Sequence, residues 1–236
     1  MSVQVTLSAN AGVSLALGGK KIWVDALHDT PTGGFSSLTP GMLSRMEACQ
    51  AFQDPDMIVF THCHGDHYSR VLTAQAHMRW PKARLVLPEL HFSDQELLEG
   101  AQVHKMLGDV HLRFFRLTHE HPETLDVPHY GLTLSDGKTT VLIAGDCAIA
   151  SPQLAAALDG ERVDLALLNF PWLALARGRQ YIAEHLHPAH LLIYHLPFPA
   201  DDAALYRAAV ERAATMLPSC PDIRILGNFL QTERYD

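Results

Sequence analysis

One short segment of the sequence concentrates the residues that could do chemistry. Within six positions it contains His62, His64, Asp66 and His67, directly after the apolar run at 57–60. Imidazole nitrogens and carboxylate oxygens are the ligands that zinc and similar divalent ions accept. Three histidines and an aspartate at this spacing are unusual in an ordinary polar loop. The segment therefore predicts a metal site.

The spacing divides these ligands between two ions. Along an extended segment alternate side chains share a face, so His62 and His64 can reach one ion together. Asp66 and His67 follow a bend at Gly65, and we expect them to face a second ion. Asp66 has a second expected role as a catalytic residue, because its carboxylate could accept or relay a proton beside the reacting atoms.

The pattern His-x-His-x-Asp-His after an apolar strand resembles the signature of the metallo-β-lactamase superfamily. The resemblance extends along the chain, through the N-terminal strands that end at Asp25, the Gly-Asp-Cys segment centred on Asp146, and His195 after a late strand. Within the superfamily, the sequence looks closest to the L-ascorbate-6-phosphate lactonase-like branch. The resemblance implies an α/β fold, a four-layer αββα sandwich, with residues 1–236 forming a single domain.

The same resemblance implies the remaining metal ligands. Asp146 corresponds to the carboxylate that bridges the two ions, and His195 corresponds to the last histidine of the second ion. The third histidine of the first ion should come just after the strand predicted at 110–117. The candidates there, in order of fit, are His119, His121 and His129.

Further side chains are expected near the site without binding metal. If His129 is not a ligand, it is expected either to contact the substrate as a catalytic residue or to lie behind the ligands as a partner to one of them, and His28 could line the pocket. Asp25 either fixes the orientation of a ligating histidine or simply ends its strand, and the sequence favours neither interpretation. Cys63 and Cys147 occupy spacer positions inside the metal motifs and are expected to pack inward as small apolar side chains.

The implied ligand set favours a binuclear hydrolase. Two divalent ions, zinc first and manganese or iron as alternatives, would share a bridging hydroxide, since a bound metal lowers the pKa of water to about 7. The expected partner is a small-molecule substrate, namely an ester, lactone or phosphoester. One rival is a di-iron redox protein, but flavin-dependent members of that class carry glutamate where this chain has His64, and we expect no fused flavin domain. Another rival is a non-catalytic binding protein on the same fold, which usually lacks ligands.

The composition argues against several other classes. A formal net charge of -8 disfavours nucleic-acid binding, which needs clustered Lys and Arg. Apolar runs are too short for a membrane span, and the N-terminus has no leader pattern, so a cytoplasmic location is expected. The four cysteines show no Cys-x-x-Cys spacing, which disfavours a disulfide framework. An alanine-rich helix near the C-terminus leaves a homo-oligomer open.

The elements that must position these residues are predicted to alternate as in an α/β protein. Tight turns divide the first 24 residues into three strands, and a Gly- and Pro-rich loop at 30–41 is expected to be a surface loop or a lid. The turn Ser-Asp-Gly-Lys at 135–138 predicts a hairpin. Helices are predicted at 69–79, at 95–107 with a capping box of Ser93 and Glu96, and at 201–217.

Overall fold

In the computed structural model, which describes residues 2–120 and 127–236, the strands of the described residues form two mixed sheets. The first sheet, in spatial order, contains β14 (Thr232–Tyr235), β1 (Val3–Leu7), β2 (Val13–Leu17), β3 (Lys20–Val24), β4 (Met57–Val59), β5 (Arg84–Leu87) and β6 (Glu96–Leu97). The second contains β13 (Asp222–Ile225), β12 (His190–Tyr194), β11 (Leu165–Asn169), β10 (Thr140–Ile143), β9 (Tyr130–Ser135), β8 (Val110–Arg116) and β7 (Gln102–Leu107). In both sheets an antiparallel half continues into a parallel half.

Helices cover the outer face of each sheet. They are α1 (Pro40–Ala48), α2 (Arg70–Arg79), α3 (Pro152–Leu158), α4 (Pro171–Ala174), α5 (Ala176–Tyr181), which continues as a π-helical turn (Ile182–Leu186), and α6 (Tyr206–Ala214). The first two pack on the first sheet and the others on the second. The predicted αββα sandwich is therefore confirmed. Among the described residues, no helix combines the length and apolar character needed to cross a bilayer.

The core between the sheets follows from alternation along the strands. Val13, Leu15 and Leu17 of β2 face the second sheet and are almost completely buried. Trp23 and Ile58 face the other way and pack beneath the helices. Because successive side chains of a strand point to opposite faces, strands in the middle of four layers are apolar on both.

The helix predicted at 95–107 is wrong. The segment instead contains β6 and β7, and β7 forms a hairpin with β8 in which Leu107 pairs with Val110. The two loop residues are Gly108, with φ +61°, and Asp109. A two-residue Gly-Asp loop between apolar runs is typical of a hairpin, and it favours two strands over a helix in this segment. The predicted capping box is lost with the helix.

The helix predicted at 201–217 is present but shorter, since α6 begins at Tyr206. The Asp202 carboxylate accepts hydrogen bonds from the backbone N–H groups of Tyr206 and Arg207, at 2.8 and 3.0 Å. These bonds pair two of the N–H groups that the first turn of a helix leaves without partners. They also fix the place at which the Tyr206 side chain leaves the backbone.

Candidate metal centre

The histidine-rich segment follows β4 and folds into a compact turn. The backbone N–H groups of His67 and Tyr68 both donate to the carbonyl of His64, at 3.0 and 2.8 Å. The turn directs the side chains of Asp66 and His67 toward the second sheet. Loops that follow β10 and β12 of that sheet bring Asp146 and His195 to the same place, since strand ends of the two facing sheets lie side by side here.

The first group of ligand atoms consists of His62, His64 and His119. One nitrogen from each lies within 4.8 Å of the others. His62 and His119 are buried, and His64 is half-buried. The sequence predicts His62 and His64 as ligands of the first ion and offers three candidates for its third ligand. Of these, His119 joins the group. His121 lies outside the described residues.

The second group consists of Asp66, His67 and His195, whose ligand atoms also lie within 4.8 Å of one another. The Nε2 atoms of His67 and His195 are 3.1 Å apart, and His195 Nε2 lies 3.6 Å from Asp66 Oδ2. All three residues are buried. A tight cluster of one carboxylate and two imidazoles is a donor set suited to zinc, manganese or iron.

Asp146 lies between the two groups. Its Oδ2 atom is 3.4 Å from His67 Nε2, 3.4 Å from His195 Nε2 and 3.9 Å from His119 Nε2. Asn169 donates a hydrogen bond to the other carboxylate oxygen, Oδ1, at 3.2 Å. Because Asn169 occupies Oδ1, the Oδ2 atom of Asp146 is left facing both groups, where it could contact a cation in either of them.

His62 provides the test of whether these residues fit a metal. Thr61 Oγ1 donates to Asp25 at 2.6 Å, so it accepts the 3.0 Å hydrogen bond from His62 Nδ1. His62 Nε2 then carries a lone pair, and this atom is buried with no hydrogen-bond partner among the described residues. A buried acceptor without a partner is destabilising, by about 1–3 kcal/mol, and a cation at Nε2 would remove that cost. The donor set fits a metal.

Asp25 orients the second group from behind. Its carboxylate, fully buried, accepts from Thr61 N at 2.7 Å, from Thr61 Oγ1 at 2.6 Å and from His67 Nδ1 at 2.9 Å. Because Nδ1 of His67 is the donor to Asp25, Nε2 is left to face Asp146 and His195. Of the two interpretations that the sequence left open for Asp25, the structure favours the one in which its carboxylate orients His67, a candidate ligand.

The backbone around the site is strained at non-glycine residues. Asn10, Asp25 and His195 have φ values of +47°, +52° and +57°. For side chains other than glycine, this left-handed region costs about 1–2 kcal/mol per residue. Asn10 also joins the two loops, since its side-chain amide donates to Asp66 O and its carbonyl accepts from His195 N. Tertiary packing thus holds these residues in conformations that isolated chains avoid.

His129 does not contact the cavity. It is fully buried, and its Nε2 atom accepts a 2.9 Å hydrogen bond from the backbone N–H of Asp146. Gly145 makes this approach feasible, because a Cβ there would lie 2.6 Å from His129 Nε2. Burial lowers the pKa of His129 to about 3, which keeps the ring neutral and able to accept. The structure places His129 as a positioning residue for Asp146 rather than as a substrate contact.

His28 is also behind the site rather than in the cavity. It is fully buried, and its Nε2 atom donates to the carbonyl of Ala9 at 2.9 Å. Burial lowers its pKa to about 4. The expectation that His28 lines the pocket is wrong, because the chain after Asp25 turns inward beneath the segment at 62–67 before it reaches the surface. Cys147 is buried and Cys63 half-buried, both packed against apolar side chains.

The charges of the site are strongly coupled. Burial lowers the pKa of His67, but the carboxylates of Asp146 and Asp25 outweigh it and hold this pKa well above its ordinary value. Burial raises the pKa of Asp146, but His195 and His67 outweigh it and hold that pKa well below the usual range. The cluster therefore stabilises positive charge at its centre, which is the property a cation site requires.

A cavity of about 670 Å³ opens above the two groups, within the size range of small-molecule sites. His64, Asp66 and Asp146 lie on its floor, and Thr32 and Gly33 of the loop at 30–41 lie at its edge. Sequence reasoning missed the three aromatic side chains that line it, since they share no motif. They are Phe35, Phe170 and Tyr206.

Comparison with known proteins identifies a family and several similar folds. A profile of the beta-lactamase superfamily domain matches residues 20–217. Among curated protein sequences, none matches significantly. The fold resembles that of YhfI from Bacillus subtilis, a metallo-beta-lactamase fold protein, at 14% identity and a TM-score of 0.67 over 100% of both chains.

Two further solved structures show the same fold in proteins with different activities. An isothiocyanate hydrolase from Delia radicum gut bacteria matches at 16% identity and a TM-score of 0.68, over 98% of this chain and 99% of that one. CmlA from Streptomyces venezuelae, a diiron beta-hydroxylase, matches at 14% identity and a TM-score of 0.68, over 99% of this chain but 54% of its own. From the profile match over most of its length, this chain belongs to the beta-lactamase superfamily, and it has the metallo-beta-lactamase fold.

Proposed function

We propose that this protein is a metal-dependent hydrolase with a binuclear centre, acting on a small ester, lactone or phosphoester. The observation that carries the proposal is the convergence of two three-residue ligand groups on one oxygen of Asp146, at the floor of a cavity. The hydrolase named among the solved structures with this fold is consistent with it. The ascorbate-phosphate lactonase-like branch and a cytoplasmic location remain part of this proposal.

The ligand assignment follows the two groups. The first ion would be held by His62, His64 and His119, the second by Asp66, His67 and His195, and both by Asp146. Divalent ions bound there would polarise a substrate oxygen and supply acidified water at neutral pH.

The chain's own residues then orient the reaction and move its proton. Asn169 and His129 hold the side chain and backbone of Asp146, so that its Oδ2 atom cannot turn away. Asp66 lines the cavity with its carboxylate 3.6 Å from His195 Nε2. We assign to Asp66 Oδ2 the proton of the attacking water, which it can return to the leaving oxygen, because this carboxylate lines the cavity within reach of a bound substrate.

The test combines metal analysis with hydrolysis. Protein loaded with zinc or manganese should bind two ions per chain and cleave at least one member of a panel of esters, lactones and phosphodiesters. H64A and D146A should lower kcat/KM by about a thousandfold or more, with the fold retained by circular dichroism. H104A is the matched control, because His104 is exposed on β7 and its side chain hydrogen-bonds only to His111 among the residues described. Activity that survives both ligand variants, or one ion per chain, would contradict the binuclear mechanism.

Oxidative chemistry is the second candidate, because CmlA carries this fold and is a diiron enzyme. His64 favours hydrolysis, since the first group is made of three imidazoles without a carboxylate. Iron in both positions of the isolated protein, with reductant-dependent consumption of oxygen and no hydrolysis, would favour the oxidative function instead. A protein that binds metal but catalyses neither reaction would be a binding protein.

A further inference from the structure

Three aromatic side chains form one continuous wall of the cavity, which we call the aromatic wall: Phe35, Phe170 and Tyr206. The rings of Phe170 and Tyr206 have centroids 4.6 Å apart, and the ring of Phe35 is parallel to that of Tyr206 within 12° at 6.3 Å. Phe35 also meets the His195 ring edge-on, with centroids 4.8 Å apart. The aromatic wall therefore begins at the second ligand group and runs outward along the cavity.

The aromatic wall is held in place by hydrogen bonds within the chain itself. Next to Phe35, the Ser36 hydroxyl donates to Asp201 at 2.6 Å and accepts from Phe198 N at 2.7 Å. Tyr206 is fixed by the Asp202 bond to its backbone N–H. A wall that is ordered before binding loses little entropy when an apolar group lies against it.

The described lining of the cavity contains no lysine or arginine. Residues 121–126, which read His-Pro-Glu-Thr-Leu-Asp, add none from the sequence side. Glu120 lines the cavity and forms an ion pair with Arg177, so the cation at this rim is already neutralised. Phosphate groups are usually held by Arg, Lys or clustered backbone N–H groups. A phosphorylated substrate would find no charge partner here beyond the metal centre.

We propose that the cavity selects an uncharged ester or lactone with an aromatic group beside the scissile carbonyl, and that the aromatic wall holds this group. The inference rests on the proposed hydrolase function and narrows its substrate class to neutral esters and lactones, leaving out phosphoesters and phosphorylated lactones. In the reaction, water adds to the carbonyl carbon, the carbon–oxygen single bond breaks, and the proton released by water passes to the leaving oxygen, giving an acid and an alcohol. Ring contacts with aromatic side chains supply affinity that a sugar phosphate cannot use.

Binding tests the inference independently of turnover. Titration calorimetry on metal-free and zinc-loaded protein would compare phenylacetamide, an uncleaved neutral probe, with acetamide and methylphosphonate. We expect phenylacetamide to bind at least about tenfold more tightly than acetamide in both forms, and F170A and Y206A to lose most of this difference. Methylphosphonate should not bind the metal-free form more tightly than phenylacetamide. The reverse order would overturn the inference.

Kinetics tests it on the loaded enzyme. The ratio of kcat/KM for ethyl phenylacetate to that for ethyl acetate should fall at least about fivefold in F35A, F170A and Y206A, mainly through KM. Y206F keeps the ring and should keep the ratio, and M216A, which changes an exposed side chain outside the cavity lining, is the unaffected control. A preference for a phosphorylated lactone, or an unchanged ratio in all three alanine variants, would overturn the inference. If phenylacetamide binds through the aromatic wall but no ester is cleaved, the selectivity stands and the hydrolase function fails.

Discussion

The two sides of the candidate metal centre are built differently. Behind it lies an inner support of Asp25, Thr61, His28 and His129, all of which are at most 1% exposed. In front of it lies the aromatic wall, whose three side chains are half-buried and face the cavity. The inner support acts through short hydrogen bonds between polar groups, and the aromatic wall acts through ring contacts.

The difference separates two tasks. Hydrogen bonds among buried polar groups tolerate no missing partner, so the inner support fixes ligand geometry and contributes to stability. The aromatic wall borders open space, where a changed side chain leaves no buried donor unpaired. We therefore expect changes in the inner support to affect stability and metal affinity, and changes near the aromatic wall to affect substrate affinity.

The largest effect is expected from Asp25. D25A leaves Thr61 and His67 with buried donors that have no acceptor, and should lower the free energy of unfolding by about 3 kcal/mol. Zinc affinity should fall about 10- to 100-fold, because His67 loses the bond that orients it. Chemical unfolding and a competitive zinc titration measure the two quantities.

D25N keeps the size of the side chain and tolerates the left-handed backbone, so it reports on zinc affinity if D25A does not fold. D94A is the matched control, because Asp94 is exposed and pairs only with His77 among the described residues. It should change stability by less than about 1 kcal/mol. Unchanged zinc affinity in D25N would remove Asp25 from the inner support.

A smaller effect, visible as a pH dependence, is expected from His28. Its pKa is lowered from 6.5 to about 4 by burial, so it stays neutral in the folded state while the unfolded chain takes up a proton. The contribution of neutral His28 to the free energy of unfolding is therefore complete above pH 6.5. It is lost as the pH falls toward 4, by at most about 1.4 kcal/mol per pH unit. H28Q should show a shallower decrease than the wild type in urea unfolding of metal-free protein between pH 7 and 5.

H104Q is the control for this slope, since His104 is exposed. The quantity to compare is the difference between variants, because His129 shifts in the same direction and His67 in the opposite one. Equal slopes for wild type and H28Q would show that His28 is not buried neutral.

The smallest effect is expected in the loop that carries Phe35. Gly33 has φ +56°, and a Cβ there would lie 3.8 Å from the Phe35 ring, which is an ordinary contact. G33A therefore adds only backbone strain, about 1 kcal/mol, which shifts the loop rather than the core. We expect KM to rise a few-fold while zinc affinity is unchanged.

Gly41 provides the matched substitution, because it lies in α1 with no positive φ and open space at Cβ. G41A should be neutral or stabilising, by up to about 1 kcal/mol. A loss of zinc affinity in G33A would mean that the loop supports the metal centre, and the division into inner support and aromatic wall would then be wrong.

The parts of the fold that could be predicted are those whose determinants are adjacent in sequence. The hairpin around 135–138 has its turn residues and both strands in one stretch, and the structure pairs Thr140 with Ser135 as expected. The helix at 69–79 has its cap, Ser69, next to it. The prediction of a helix at 95–107 was wrong because the contacts that decide the structure of this segment are with β8, which lies beyond the Gly108 turn.

The same principle applies to the site. Four of its residues lie within the six positions 62–67, so their types and spacing alone predict a metal site with ligands on both sides of the turn at Gly65. The sequence favours His119 over His129 as the third histidine of the first ion but leaves the choice open, since both follow the strand predicted at 110–117. The tertiary structure separates their roles, because the chain places His119 beside His64 and packs His129 beneath Asp146.

The candidate ligands at 62–67 and the layered α/β fold could be predicted from residue order alone, because both depend on local patterns of residue type. The environment of those ligands depends on the packing of distant segments: the buried hydrogen bonds of Asp25, the place of His129, and the aromatic wall. Phe35 lies in the loop at 30–41, Phe170 lies between β11 and α4, and Tyr206 is the first residue of α6, so the three are far apart in the chain and no local pattern marks them. Their proximity results from the packing of two sheets, which brings together strand ends that the sequence keeps distant.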